Sequence, residues 1–372
     1  MAFLLALAMV AQAAPDAAER LEDAGRYREA EPLLRAALQR SGSRQDAAAA
    51  DAAERLGDNL ARQARPAEAE PFYRRALQIR LAVHGEGHPA TARSYSQIAG
   101  LAADAGRLAE ADALSRRACA ILLASEGPQS PALARALGNR AGILARMGMM
   151  ADAYELYRKS AEILQRAGPP LALDYAVALN NLAVHLQRMA AGDRVPAGFR
   201  RTFTMRQAVL SPPMQGLMAG LAGEEGIDPM LRRRLLADAA MAFRMALGIR
   251  IRLLGEMHPD TANSLNGLAA SQRSLGDLAG AMQSYRRAYA IKVATLPPED
   301  RDRVIGAWSL ATVTETAGDA VQARALYREA AAGAIAAQAR HRDFDSAATH
   351  ELRSYAPIFR GQVRTAWALS RP

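Results

Sequence analysis

In segment after segment of this chain, apolar residues recur three and four positions apart, and short joints carrying glycine or polar residues separate the segments. That spacing collects the apolar side chains on one face of a helix, so each segment is predicted to be an amphipathic α-helix. Alternating runs of Val, Ile, Thr and Tyr, the pattern of half-buried strands, are missing along nearly the whole chain. The predicted fold class is all-α.

The joints are periodic. GRLAEADALSRRA (Gly106 to Ala118), GMMADAYELYRKS (Gly148 to Ser160), GDLAGAMQSYRRA (Gly276 to Ala288) and GDAVQARALYREA (Gly318 to Ala330) align without gaps. Gly106 and Gly148 stand 42 residues apart, as do Gly276 and Gly318. The same step reaches Ala64, Ala190 and Arg234, and an earlier copy begins at Gly25. Between Ala190 and Arg234 lies a 44-residue excess, so one repeat is interrupted.

Each column has a physical reason. Seven residues before the glycine position stands Gly57, Ala99, Ala141, Ala183, Ala269 or Ala311, small as two closely crossing helices require. Five after it come Ala69, Ala111, Ala153, Ala239, Ala281 and Ala323, the second helix's half of the same crossing. Nine after it the residue is usually a large ring, in Tyr73, Tyr157, Phe243, Tyr285 and Tyr327, with Ser115 the exception. Such a ring fills the space between successive pairs.

This succession of small, Gly, Ala, aromatic and Ala resembles the tetratricopeptide repeat. With the linkers LAVHGEGHPATA (Leu81 to Ala92) and LLGEMHPDTANSLNGLA (Leu253 to Ala269), it is similar to the kinesin-light-chain type of that repeat. The resemblance implies a right-handed α-α superhelix of about six to seven helix pairs whose first helices line a concave surface. The organisation expected is a signal peptide over 1–13, a solenoid over 14–340 and a C-terminal capping helix over 344–372. The insertion, 191–233, falls inside the fifth pair. In the cap, Leu352, Tyr355, Ile358, Phe359, Val363 and Trp367 form one stripe.

Composition narrows the function. Forty-seven basic against 38 acidic side chains give +9, but only Lys159 and Lys292 are lysines, and no basic run is interleaved with aromatics. Nucleic acid is therefore not an expected partner. The His-Pro steps at His88 and His258 read as linkers that end one helix and start the next, not as metal ligands, and Cys119 reads as a small core residue. No GxSxG, phosphate-binding Gly-Lys loop or dinucleotide fingerprint occurs, so no enzyme, cofactor or metal is expected.

The functional signal lies on the inner faces of the first helices. Ten and nine residues before the glycine position stand Glu54 and Arg55, Ser96 and Gln97, Gly138 and Asn139, Asn180 and Asn181, Asn266 and Gly267, and Trp308 and Ser309. An asparagine amide both donates and accepts, so it can pair with an extended peptide backbone. Asn139, Asn180, Asn181, Asn263 and Asn266, with Arg146, Arg188 and Arg273 for carboxylates, are the expected peptide-binding residues. The inner-face reading of Asn180 and Asn181 competes with one in which they bridge adjacent helices.

The insertion carries Pro196, Pro212, Pro213 and Pro229 together with Met205, Met214 and Met218, and Arg200, Arg201 and Arg206 lie nearby. It reads as a lid or loop, or as an adaptable contact for a partner or membrane face. The leading function is a scaffold binding an extended segment of another protein. Alternatives are a structural envelope scaffold and a separately encoded partner of a CHAT-type peptidase, since Leu352 to Pro372 resembles the helix that often precedes such a domain.

From Ala2 to Val10 the chain is apolar and uncharged, and Ala11, Gln12 and Ala13 give the small-x-small pattern of a cleavage site. The expected location is periplasmic or secreted. Mass spectrometry of the cell-envelope fraction should find an N-terminus near Ala14, and an intact Met1 there would overturn the exported reading.

Overall fold

A computed structural model describes residues 17–23, 26–42, 44–63, 65–192, 228–338 and 346–370; the candidate signal segment and most of the insertion lie outside them. Every regular element among the described residues is helical. The chain divides into two compact units between Met149 and Met150. The first contains α1 (Ala17–Asp23), α2 (Tyr27–Ser41), α3 (Ala47–Arg62), α4 (Pro66–His84), α5 (Pro89–Asp104), α6 (Leu108–Glu126) and α7 (Pro131–Arg146). The second contains α8 (Met150–Ala167), α9 (Ala172–Ala191), α10 (Pro229–Leu254), α11 (Pro259–Ser274), α12 (Leu278–Thr295), α13 (Arg301–Thr316), α14 (Ala320–Gln338) and α15 (Ser346–Leu369).

Within each unit, helices adjacent in sequence pack on each other. The most intimate pairs are α3 with α4, α5 with α6, α9 with α10, α11 with α12 and α13 with α14. Their cause is visible in the two alanine columns. Ala141, Ala183, Ala269 and Ala311 on first helices have no solvent exposure, nor have Ala69, Ala111, Ala153, Ala239, Ala281 and Ala323 on second helices. Tyr73, Phe243, Tyr285 and Tyr327 are buried as well. Phe243 of α10 lies so close to Gly267 of α11 that a Cβ there would stand 2.3 Å from the ring, and Gly57 meets Tyr73 in the same way at 3.0 Å. Ring and glycine together set the spacing of neighbouring helices.

The joints are equally local. Gly106 and Gly276 take φ of 77° and 88°, the left-handed conformation that ends a helix and that glycine adopts without strain. At the inter-pair linkers His88 Nδ1 accepts from Ala90 N and His258 Nδ1 from Asp260 N, both at 3.1 Å, with proline as the next residue. The His-Pro step is thus an N-cap followed by a proline at the position where a missing N–H does no harm.

Two expectations shift in detail. The insertion was expected to run from Ala191 to Arg233, but Ala191 closes α9 and α10 already begins at Pro229, capped by Asp228. Proline at the first helical turn starts a helix, so residues 229–233 extend the second helix of the pair. The remainder of the insertion, with Met205, Met214 and Met218, lies outside the described residues, and α9 and α10 pair despite it.

The expected apolar stripe of the last helix also turns. Tyr355 and Ile358 are buried, but Val363 and Trp367 are 69% and 64% exposed; the Leu352 side chain lies outside the described residues. The face that continues inward is Gly361 and Thr365, because the Tyr327 ring occupies the space beside it and a Cβ at Gly361 would stand 2.4 Å from that ring. Arg364 then reaches Glu315 of α13 through two hydrogen bonds of 2.5 and 2.6 Å.

His185 of α9 stands where Leu101 and Ile143 stand in other repeats. It is buried, it hydrogen-bonds through Nε2 to the Met150 carbonyl at 2.8 Å, and its Nδ1 has no partner. Burial, helped by the nearby Arg188 charge and opposed by the Met150 carbonyl, holds the imidazole below its ordinary value of 6.5. The unfolded chain therefore binds a proton that the native one refuses, and stability falls as pH drops below about 6.5 until the native value is passed. In thermal melts between about pH 7 and pH 5, His185→Leu should flatten that slope; an unchanged slope would assign it to other groups. Ala269→Leu, which overpacks a helix crossing, should cost about 1–3 kcal/mol in denaturant melts.

Candidate functional site

On a helix, residues thirteen, ten and nine positions before the glycine share one face, since they are three and four apart. In the first unit this face of α3, α5 and α7 borders a cavity of about 520 Å³. Its polar wall is Asp51, Arg93, Ser96, Gln97, Arg135 and Asn139, and Leu122, Ala132 and Ala136 give it an apolar side. Arg80, projecting from the second helix α4, forms part of the floor.

The floor is an ion cluster. Arg80 is 1% exposed and donates through Nη2 to Asp51 Oδ1 at 2.7 Å and to Glu54 Oε2, and through Nη1 to Ser94 Oγ at 2.8 Å. Buried Glu54 also meets Arg93 Nε at 2.8 Å and accepts from Gln97 Nε2 at 2.6 Å. The hydrogen bond to Glu54 holds the Arg93 guanidinium above its usual range. Beside the cluster, burial raises the Asp58 carboxyl, although Tyr73 donates to it at 2.6 Å. The cavity thus offers amide and hydroxyl groups above a guanidinium that its own unit has neutralised.

Of the residues singled out from the sequence, Ser96, Gln97 and Asn139 line this cavity. Glu54 lies beneath it, and Arg55 turns to Glu22 at 3.1 Å instead. Arg146 pairs with Asp104 at 2.8 Å within the same unit. In the second unit Asn180 is half-buried and its Oδ1 lies 3.5 Å from Arg250 Nη1, which makes it a link from α9 to α10. Asn181, Asn263, Arg188 and Arg273 are exposed on their helices. Asn266 is half-buried, with a buried Oδ1 that meets no donor.

Four polar contributors went unrecognised in the sequence. Asp51, Arg93 and Arg135 sit one helical turn before the residues that were singled out, so extending the stripe by one turn finds them. Arg80 belongs to a second helix, sixteen residues past the glycine position, where Leu122 and Leu164 occupy other repeats. A guanidinium in a leucine column is the signal it carries.

Among the described residues no helix is long and apolar enough to cross a membrane. The architecture defines a class: stacked helix pairs that present a polar first-helix face. The Tetratricopeptide repeat family matches residues 48–124 and 231–292. Those residues carry tetratricopeptide repeats, and proteins built from such repeats act generally as protein–protein interaction scaffolds. No curated protein matches it. Among solved structures it is similar to BtubC (BKLC) from P. vanneervenii, with 22% identity over 76% of this chain and 94% of that one, at a TM-score of 0.51. It is also similar to a signal transduction ATPase with numerous domains carrying a tetratricopeptide repeat sensor, from Pyrococcus horikoshii. There the identity is 14% over 85% of this chain and 40% of that one, with a TM-score of 0.51. These likenesses agree with the repeat fold described above.

Proposed function

We propose that the protein is a binding scaffold that holds an extended segment of another polypeptide against the first-helix face of its first unit. The observation that carries this reading is the cavity of about 520 Å³ bounded by Arg93, Ser96, Gln97, Arg135 and Asn139. Amides and guanidinium groups at successive turns suit a backbone that needs donors and acceptors along its length, and Leu122, Ala132 and Ala136 suit an apolar side chain. No chemistry is assigned to the site. The apolar segment Ala2 to Val10, followed by Ala11 and Ala13, supports a role in the periplasm or outside the cell.

Linear peptides selected from a random displayed library against the purified protein provide the ligand for a test by calorimetry. Arg93→Ala combined with Asn139→Ala should weaken the selected peptides by about tenfold or more, as loss of central contacts does. Arg116→Ala, an exposed change on the second helix α6, should leave affinity unchanged. Selected peptides that bind the double variant as tightly as the unaltered protein would overturn the assignment.

A further inference from the structure

Eighteen residues before the glycine position stands the cap of each of five first helices: Asp46 for α3, His88 for α5, Ser130 for α7, His258 for α11 and Asp300 for α13. Each of these side chains accepts a hydrogen bond from a main-chain N–H of the first turn, at 2.8 Å for Asp46 and Asp300 and at 3.1 Å for the other three. One requirement is met by three chemistries. A carboxylate or a hydroxyl goes on accepting in mild acid. An imidazole accepts through Nδ1 only while that nitrogen is bare, which puts the ring's one proton on Nε2. Histidine is also the side chain that ordinarily gains charge between about pH 8 and pH 5. A doubly protonated ring only donates, and it sets a positive charge against the positive end of the helix, so the cap and the second proton exclude each other.

Their surroundings separate the two histidines. At α11 the residue two places on is Asp260, whose Oδ2 lies 4.0 Å from His258 Nδ1, so a carboxylate stands ready to receive the charge. At α5 that place is held by Ala90. The His88 ring is stacked instead on His84 of α4, with ring centres 4.3 Å apart, an arrangement that two like charges oppose. The other charged groups around this turn are Glu86 of the linker, Asp51 of α3, Arg80 of α4, Arg93 of α5, Arg117 of α6 and Arg135 of α7. Both carboxylates are already paired, Glu86 with Arg117 and Asp51 with Arg80. His88 is exposed, so protons reach it, and none of these groups offers the protonated ring an unpaired anion.

The turn that His88 caps is also a wall of the cavity, which Pro89, Ala90 and Arg93 border. We propose that His88 is an acid-sensitive latch on this site: the neutral ring fixes the first turn of α5 against the cavity, and the protonated ring lets that turn loosen and release the held segment. This rests on the scaffold reading and adds regulation to it. The cap is complete above the histidine range and is lost as pH falls through it. Thr91 Oγ1 donates to the Gly85 carbonyl at 2.8 Å whatever the pH, which confines the change to the first turn.

Hydrogen exchange with mass spectrometry on the full chain reads the latch without any ligand. After correction for the intrinsic pH dependence of exchange, protection of residues 89–95 should fall about fivefold or more between about pH 7.5 and pH 5 in the unaltered protein, the scale of one lost N-cap. His88→Ser, which installs the cap of α7, should hold that change below about twofold, as should His88→Asp, which installs the cap of α3 and α13. Residues 259–265, capped by His258 beside Asp260, should change less than residues 89–95. Peptides selected at neutral pH and free of His, Asp and Glu then read the consequence by calorimetry. Their affinity for the unaltered protein should fall about threefold or more over the same range, and that for the serine variant by less than about twofold.

Unchanged protection of residues 89–95 in the unaltered protein would overturn the proposal, and so would an equal loss in both variants. Peptides that need Arg93 and Asn139 yet bind the unaltered protein equally at both pH values would overturn the latch and leave the scaffold reading standing. Peptides indifferent both to pH and to Arg93→Ala with Asn139→Ala would remove the scaffold reading and its regulation together.

Discussion

Two helices of a pair can approach closely only if nothing larger than a methyl group stands between them, and this constraint governs the whole chain. Ala69, Ala111, Ala239 and Ala281 on second helices, and Ala141, Ala183, Ala269 and Ala311 on first helices, are wholly buried. Because the methyl columns fix the crossing, the other side chains of each helix are committed to one of two directions. They pack toward the next pair, as Phe243 does against Gly267, or they stand on the outer or inner face. With only 5% aromatic residues, the core depends on this closeness of backbones more than on large side chains.

The same constraint explains how much was legible in the sequence. Helix pairs, their order and the small-residue columns were readable because the repeat puts one physical requirement at one position many times over. Register survived even the long interruption, since α9 and α10 still pair across residues outside the described set. Single-copy decisions were harder. Periodicity alone placed Val363 and Trp367 on the inward stripe of α15, but the Tyr327 ring leaves room there only for Gly361 and Thr365. No spacing rule in the last helix contains that ring, which belongs to another element.

The candidate site was legible in part for a related reason. Asn139, Ser96 and Gln97 were found because they lie in columns aligned with the crossing positions, and all three line the cavity. Arg93 and Arg135 were passed over although they extend the same helical face by one turn. Asn180 and Asn181, adjacent in sequence, separate in space: Asn180 turns to Arg250, whereas Asn181 stays exposed. Neighbours on a helix differ by 100° in direction, so one residue can bridge to the next helix while the other faces outward.

The buried cations show what a repeat array permits that a single compact core does not. A charge inside one core burdens the only source of stability the domain has, but in an array each interface is one of several and the alanine crossings beside it are untouched. Arg80, Arg250 and Lys292 each replace an aliphatic residue at a position whose neighbours, Ala76, Ala246 and Ala288, remain fully or almost fully buried. The crossing holds, and the cost of desolvating the cation is confined to one interface. Where the repeat also provides Glu54 and Asp51, that cost is offset internally and the interface is complete on its own. Where it provides asparagine or valine, the cation is met by neutral acceptors instead, Asn180 Oδ1, Ser264 Oγ and the Asp260 carbonyl at Arg250 and the Asp302 carbonyl at Lys292. The identity of the residue one helix away therefore decides whether a buried cation meets a carboxylate or only dipoles.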